Sequence, residues 1–180
     1  MRRLLIQFCV AAFALAAARE EPMELSLTSN AFQDGGAIPT KHTCDGADAS
    51  PALTWRGAPM GTAAFALIVD DPDAPAGTWV HWVLYDVPAT VTATPENVAK
   101  VETPSELGGA MQGKNDFRRL GYGGPCPPPN AAHRYFFKLY ALATKLGLKP
   151  GATKEDVERA MRGHVLATAQ LMGRYARQRR

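Results

Sequence analysis

Two stretches of the chain run from a proline-stiffened turn into a histidine. Asp71-Pro72-Asp73-Ala74-Pro75 leads to His81-Trp82, and Gly124-Pro125-Cys126-Pro127-Pro128 leads to His133-Arg134-Tyr135. Prolines hold the backbone while strands aim side chains, so each stretch can fix an ionisable ring beside a rigid loop. Three chemistries are open to Asp71, His81 and His133. They could ligate a metal, but they lack close metal-motif spacing such as H-x-x-x-H. Cys126 could act as a nucleophile with His133 as base, making a hydrolase, or the His81/His133 pair could do so alone. The prolines around Cys126 supply no activating helix N-terminus, and no G-x-S-x-G elbow or Walker loop occurs. Binding without turnover asks for least. Two imidazoles and loop N–H groups can donate to a phosphate, a carboxylate or a similar anion, with Asp71 orienting a ring. A plainer reading is that both histidines only hydrogen-bond Asp71 and lock turn to strand.

These residues need elements to hold them. Met23 to Thr28 alternates apolar and polar and reads as a strand, and Leu53-Thr54-Trp55 reads as another. Ala63 to Val69 is a continuous apolar run, consistent with a buried strand. Thr78 to Val87 is the clearest strand: His81, Val83, Tyr85 and Val87 share one face, and Val80, Trp82 and Leu84 the other. His133 to Leu142 is the next, rich in Tyr and Phe. Residues 88–130 read as long loops. Thr153 and Asp156 resemble a capping box, and Val157, Met161, Val165, Thr168, Met172 and Tyr175 recur at helical spacing. A helix over 154–176 is expected, with Met161, Val165 and Met172 buried and His164 a packed core histidine. Trp55, Trp79 and Trp82 read as core or rim packing.

Composition narrows the function classes. The chain has 180 residues and a formal net charge of +3. Arg2-Arg3, the uncharged run from Leu4 to Ala18 and the ending Ala16-Ala17-Ala18 form a secretory signal peptide over residues 1–18. The run is too short for a comfortable transmembrane helix, so no stable membrane insertion is expected after cleavage. A single domain over 19–180 remains, of about 160 residues, enough for a full core. Without Arg2 and Arg3 the net charge is +1, which gives no reason to invoke nucleic acid. Arg174, Arg177, Arg179 and Arg180 read as a solvated helix end. Cys9 leaves with the leader. The remaining pair, Cys44 and Cys126, invites a disulfide in an exported protein, with two separate thiols as the alternative.

Taken in order, these pieces resemble the phosphatidylethanolamine-binding protein family, in its bacterial Raf-kinase-inhibitor-like branch. The resemblance rests on Thr43-Cys44-Asp45-Gly46, Ser50 to Trp55, Asp71 to Pro75, His81-Trp82, Gly121 to Pro128, His133-Arg134-Tyr135 and Gly163 to Leu166. It implies a mainly β fold: a central antiparallel sheet packed on a smaller sheet, with peripheral helices and a C-terminal helix. It also implies an anion pocket lined by Asp71, His81, Gly124, Pro125, Pro127, His133 and Tyr135. Pro128-Pro129-Asn130 departs from the bacterial pattern, so the rim is expected to differ there. The expected protein is periplasmic or secreted and has no metal or cofactor. It binds a small anionic group such as phosphate, a phosphoryl head group or a carboxylate, and acts as inhibitor or adaptor of a protein partner. Asp71 is expected to help keep the two histidines protonated.

Overall fold

A computed structural model describes residues 24–129 and 131–177; the expected leader over 1–18 lies outside the described residues. Eight strands and one α-helix follow in order: β1 Ser26–Ser29, β2 Leu53–Arg56, β3 Ala64–Asp71, β4 Trp79–Pro88, β5 Ala93–Thr94, β6 Met111–Gln112, β7 Ala132–Leu142, α1 Lys154–Met161 and β8 Val165–Ala176. Strands β1-β2-β5 form a small sheet, and β6-β4-β3-β7-β8 form a five-stranded one. The strand pairs within both are antiparallel.

β3 is central because it can be buried on both faces. Phe65, Leu67 and Val69 alternate with Ala66 and Ile68, and all are buried. The first set meets Leu27, Leu53 and Trp55 of the small sheet and Phe137 and Leu139 of β7 in the main core. The second set meets Val83, Tyr85 and the helix residues Val157 and Met161 in a second core. The large sheet is therefore covered by the small sheet on one side and by α1 on the other.

Strand β4 departs from the expected alternation. Val69 pairs with Trp82 while Asp70 pairs with Val80, so His81 is the extra residue of a β-bulge. A second irregularity lies between Phe65/Val87 and Leu67/Leu84, where Asp86 adopts φ 53°. The bulges move His81 and Val87 off the Val83–Tyr85 face. The His81 ring packs edge-on against Tyr135, 5.1 Å between centroids, and Val87 joins the main core with Trp82 and Leu84.

The C-terminal helix is present but short. Thr153 Oγ1 accepts from the Asp156 N–H, and the Asp156 carboxylate accepts from the Thr153 N–H, completing the capping box. The helix stops at Met161, followed by Gly163 at φ 79°, a backbone state that ends helices at little cost to glycine. The expected continuation to 176 is instead the strand β8, paired with β7 over its whole length. Its inward residues are Ala167, Ala169, Leu171, Gly173 and Tyr175, a period of two. A Cβ on Gly173 would lie 2.4 Å from Ile38 Cγ1, so only glycine lets the Phe32–Ile38 segment close on β8. Met161 is buried as expected, but Val165 is 40% exposed and Met172 is half-buried. His164 is exposed in the connecting turn and is not a core residue.

Candidate functional site

The site forms where β3, β4 and β7 end beside two loops. The period of two sends the neighbours Asp70 and Asp71 to opposite faces of β3, and Asp71 emerges on the main-core side at the strand end. Its Oδ1 accepts from the Asp73 N–H at 2.8 Å, closing the Asp-Pro-Asp turn. Its Oδ2 accepts from His133 Nδ1 at 2.7 Å. His133 opens β7 on the face that continues as Tyr135, Phe137 and Leu139. Asp73 braces the same turn to β7: Arg134 donates from Nε and from its backbone N–H, each at 2.9 Å, and from Nη2 at 2.7 Å. Those donors hold the Asp73 carboxyl down at about 2, although burial acts the other way.

His81 is tied differently. Its Nδ1 lies 2.6 Å from the Gly123 carbonyl, which can only accept, so Nδ1 carries the proton. The expectation that both histidines bond Asp71 therefore holds for His133 alone. Burial dominates His81 and lowers its pKa below 6.5, outweighing the Gly123 carbonyl and the Asp71 charge, which raise it. At His81 the upward pull expected from Asp71 is present but smaller than the effect of burial.

A cavity of about 450 Å³ opens between these groups. Asp71, His81, Pro127 and His133 line it, as do Pro75, Trp79, Phe117, Cys126, Pro128 and Arg177. Three residues expected on the wall stand behind it. Gly124 donates its N–H to Asp48 Oδ1 at 2.6 Å, and a Cβ there would meet the His42 carbonyl at 2.5 Å. The Pro125 carbonyl accepts from the Cys44 N–H at 3.1 Å. Tyr135 is buried against His81, and burial first, then the Asp71 charge, pushes its phenol pKa up. These three shape the wall from the rear. Asn115 and Asp116 brace the opposite loop: Asp116 Oδ2 accepts from the Val80 N–H at 2.7 Å, and Asn115 Nδ2 donates to the Gly121 carbonyl at 2.9 Å. That loop places Phe117 at the cavity.

Cys44 and Cys126 are joined, with Cα atoms 5.4 Å apart. A bonded sulfur is no nucleophile, so the hydrolase reading through Cys126 loses its reactive group. The bond instead ties the Gly124–Pro128 loop to the Thr43–Gly46 turn. Asp45 in that turn binds Arg177, whose Nε lies 3.1 Å from both carboxylate oxygens and whose Nη2 lies 2.8 Å from Oδ1. Arg177 was expected on a solvated helix end; the turn from α1 into β8 carries it to the cavity wall. No local sequence signal marks that role, because it depends on a partner 132 residues away.

The sequence profile of the family described as phosphatidylethanolamine-binding protein matches residues 28–176. The chain belongs to this family. A UPF0098 protein of Methanothermobacter thermautotrophicus is 51% identical over 153 residues, covering 85% of this chain and 99% of the relative. The crystal structure of CT736 from Chlamydia trachomatis, described as a homologue of the family, superimposes with a TM-score of 0.78 at 40% identity, covering 87% of this chain and 99% of that one. That of Escherichia coli YbcL, described as a member of the mammalian family, gives 0.80 at 38% identity, covering 86% and 99%.

Proposed function

We propose that this chain is an exported binding protein that holds a small anionic, phosphate-like group between His81 and His133 and acts without turnover. In this reading it serves as an inhibitor or adaptor of a protein partner. The observation that carries the proposal is the pairing of two imidazoles on one cavity wall, each with Nδ1 already committed. His133 gives its Nδ1 proton to Asp71 and His81 gives its own to Gly123, which leaves one Nε2 on each ring for a ligand. A neutral ring accepts at Nε2; a protonated ring donates there and adds charge.

The sign of the pH dependence follows. An anion stabilises the protonated ring, so the bound-state pKa lies above the free-state one. Affinity for a fixed-charge anion is full below the free-state value and is lost as pH rises through the bound-state value. Burial places the free-state value of His81 below 6.5, so its share is confined to the acid side of that point unless the ligand raises it. Sulfate calorimetry between about pH 5 and 8 tests this, with His81→Ala and His133→Ala each expected to cost about 1–3 kcal/mol. A flat profile with unaffected mutants would make both histidines structural. Export is tested separately, by N-terminal sequencing from the producing cell. The expected first residue is Ala17 or Arg19, and intact Met1 on the soluble product would remove export from the proposal.

A further inference from the structure

Strand β8 is an outer strand of the large sheet, and part of its free edge is open. Arg174 donates its N–H to the Gly36 carbonyl and accepts from the Ile38 N–H, each at 2.8 Å. Met172 accepts from the Gly35 N–H and donates to Asp34 Oδ1, also at 2.8 Å. These backbone groups therefore point away from β7. The register against β7 runs unbroken from Ala176 to Ala167, so the period of two aims the N–H and C=O of Gln170 and Thr168 the same way. Among the described residues none is hydrogen-bonded to them there. The Asp34–Ile38 segment stops at Met172, and a bulge at Leu166 ends the regular edge on the other side.

Free edges are commonly blunted by charged side chains or proline. Residues 165–173 carry neither. Thr168 and Gln170 are exposed, and Val165 and Leu166 at the start of the edge are 40% and 43% exposed. A groove of about 340 Å³ runs beside the edge, between Lys138 and Tyr140 of β7 and Thr168 and Gln170 of β8. The charge around this edge is mostly positive. Arg162 precedes it and Arg174 follows it, both exposed and neither in an ion pair among the described residues. The acidic groups nearby are engaged: Asp34 accepts from the Met172 N–H, Asp70 is buried against Lys138, and Glu158 pairs with Lys154.

We infer that the Thr168–Gln170 edge of β8 receives an extended segment of a protein partner as a sixth strand of the large sheet. The segment has a neutral, apolar-rich centre on the edge and groove, and acidic residues toward Arg162 and Arg174. Backbone pairing supplies the grip, and the groove and flanking arginines supply selectivity. A second copy of the chain fits less well. Antiparallel pairing about Thr168 or Ala169 sets residue 174 of one copy opposite residues 162–164 of the other, which brings Arg174 toward Arg162 and joins like charges. The inference rests on the reading above only in taking the chain to have a protein partner. It gives that partner a surface at the opposite end of β8 from Arg177 and the cavity.

Fluorescence anisotropy with the folded protein tests this with three labelled, capped peptides. The first alternates valine and threonine and has two acidic residues at each end; the second has lysines at the ends; the third is the first with its central amides N-methylated. The first is expected to bind at least about tenfold more tightly than either of the others. Thr168→Pro removes an outward N–H and spares the bonds to β7, so it should fold and bind the first peptide about tenfold more weakly. Arg162→Glu with Arg174→Glu leaves the backbone untouched and should reverse the preference between acidic and lysine ends. Sulfate calorimetry on the same samples reports the anion pocket separately, so either reading can fail without the other. No binding of the first peptide, or equal binding of the first and third, would overturn strand addition. Sedimentation showing a dimer that Thr168→Pro abolishes would assign the edge to a second copy and overturn the partner assignment.

Discussion

Asp70 and Asp71 are neighbours on β3, both buried, yet they face different worlds. Asp70 points toward the helix side and meets two ammonium groups, Lys138 Nζ at 2.8 Å and Lys154 Nζ at 3.0 Å. Asp71 points toward the cavity and meets one imidazole and one backbone N–H. The first carboxylate is paired with two permanent cations, both of which donate to its Oδ2, and it fastens β7 and α1 to β3. The second is paired with an imidazole that lines the cavity, so the same residue type positions a titratable ring there instead. The partner's chemistry, more than the burial of the carboxylate, separates the two aspartates.

That contrast breaks most sharply at the lysines. The double variant Lys138→Met, Lys154→Met strands a buried charge on Asp70 and is expected to cost about 3–5 kcal/mol in urea unfolding. A loss below about 1 kcal/mol would mean that water reaches Asp70 and that the two aspartates differ less than their partners imply.

The cavity side has its own fastener. Reducing the Cys44–Cys126 bond, or the Cys44→Ser, Cys126→Ser double variant, releases a loop spanning 82 residues. The expected loss is roughly 4 kcal/mol, mostly through a less constrained unfolded chain. Thiol titration of the denatured, unreduced protein should find neither of these two cysteines free; both free would remove the bond and restore Cys126 as a candidate nucleophile.

On the helix side, Met161→Ala should cost about 3 kcal/mol because Met161 is 3% exposed in the second core, whereas Val165→Ala should stay within about 0.5 kcal/mol. Equal effects in chemical denaturation would return Val165 to the core and contradict the strand assignment of β8.

The smallest effect concerns the turn that carries Asp71. The pKa of Asp73 is lowered from 3.8 to about 2, so its stabilising contribution is present above 3.8 and fades as pH falls through about 2. The pair with Arg134 is partly solvated, and Arg134→Ala should cost only about 0.2–1 kcal/mol at neutral pH. That difference should vanish by acid titration of the unfolding midpoint; a constant difference down to the lowest pH would show that Arg134 acts by packing on Phe136, 5.7 Å away, and not by charge.

The local pieces could be read directly from short stretches of the chain. The all-apolar run of β3, the aromatic β7, the capping box of α1 and the two proline turns each carry their signal in a few adjacent residues. So do Asp71, His81, Pro127 and His133, because rigid turns next to strands leave few directions for a side chain. The helix limit was also legible, since Gly163 stands where a left-handed stop is favoured, but the coincidental helical spacing of Val165, Thr168, Met172 and Tyr175 masked it. Strand β8 is half exposed and lined by Ala167 and Ala169, and its period of two becomes meaningful only against β7. Long-range packing set the rest. It placed His81 on a bulge, tied it to Gly123 and let burial override the charge of Asp71. It closed Cys44 on Cys126 and brought Arg177 to the cavity through Asp45. Each of these depends on groups tens of residues apart, whose meeting is set by the packing of two sheets and by no local preference of the chain.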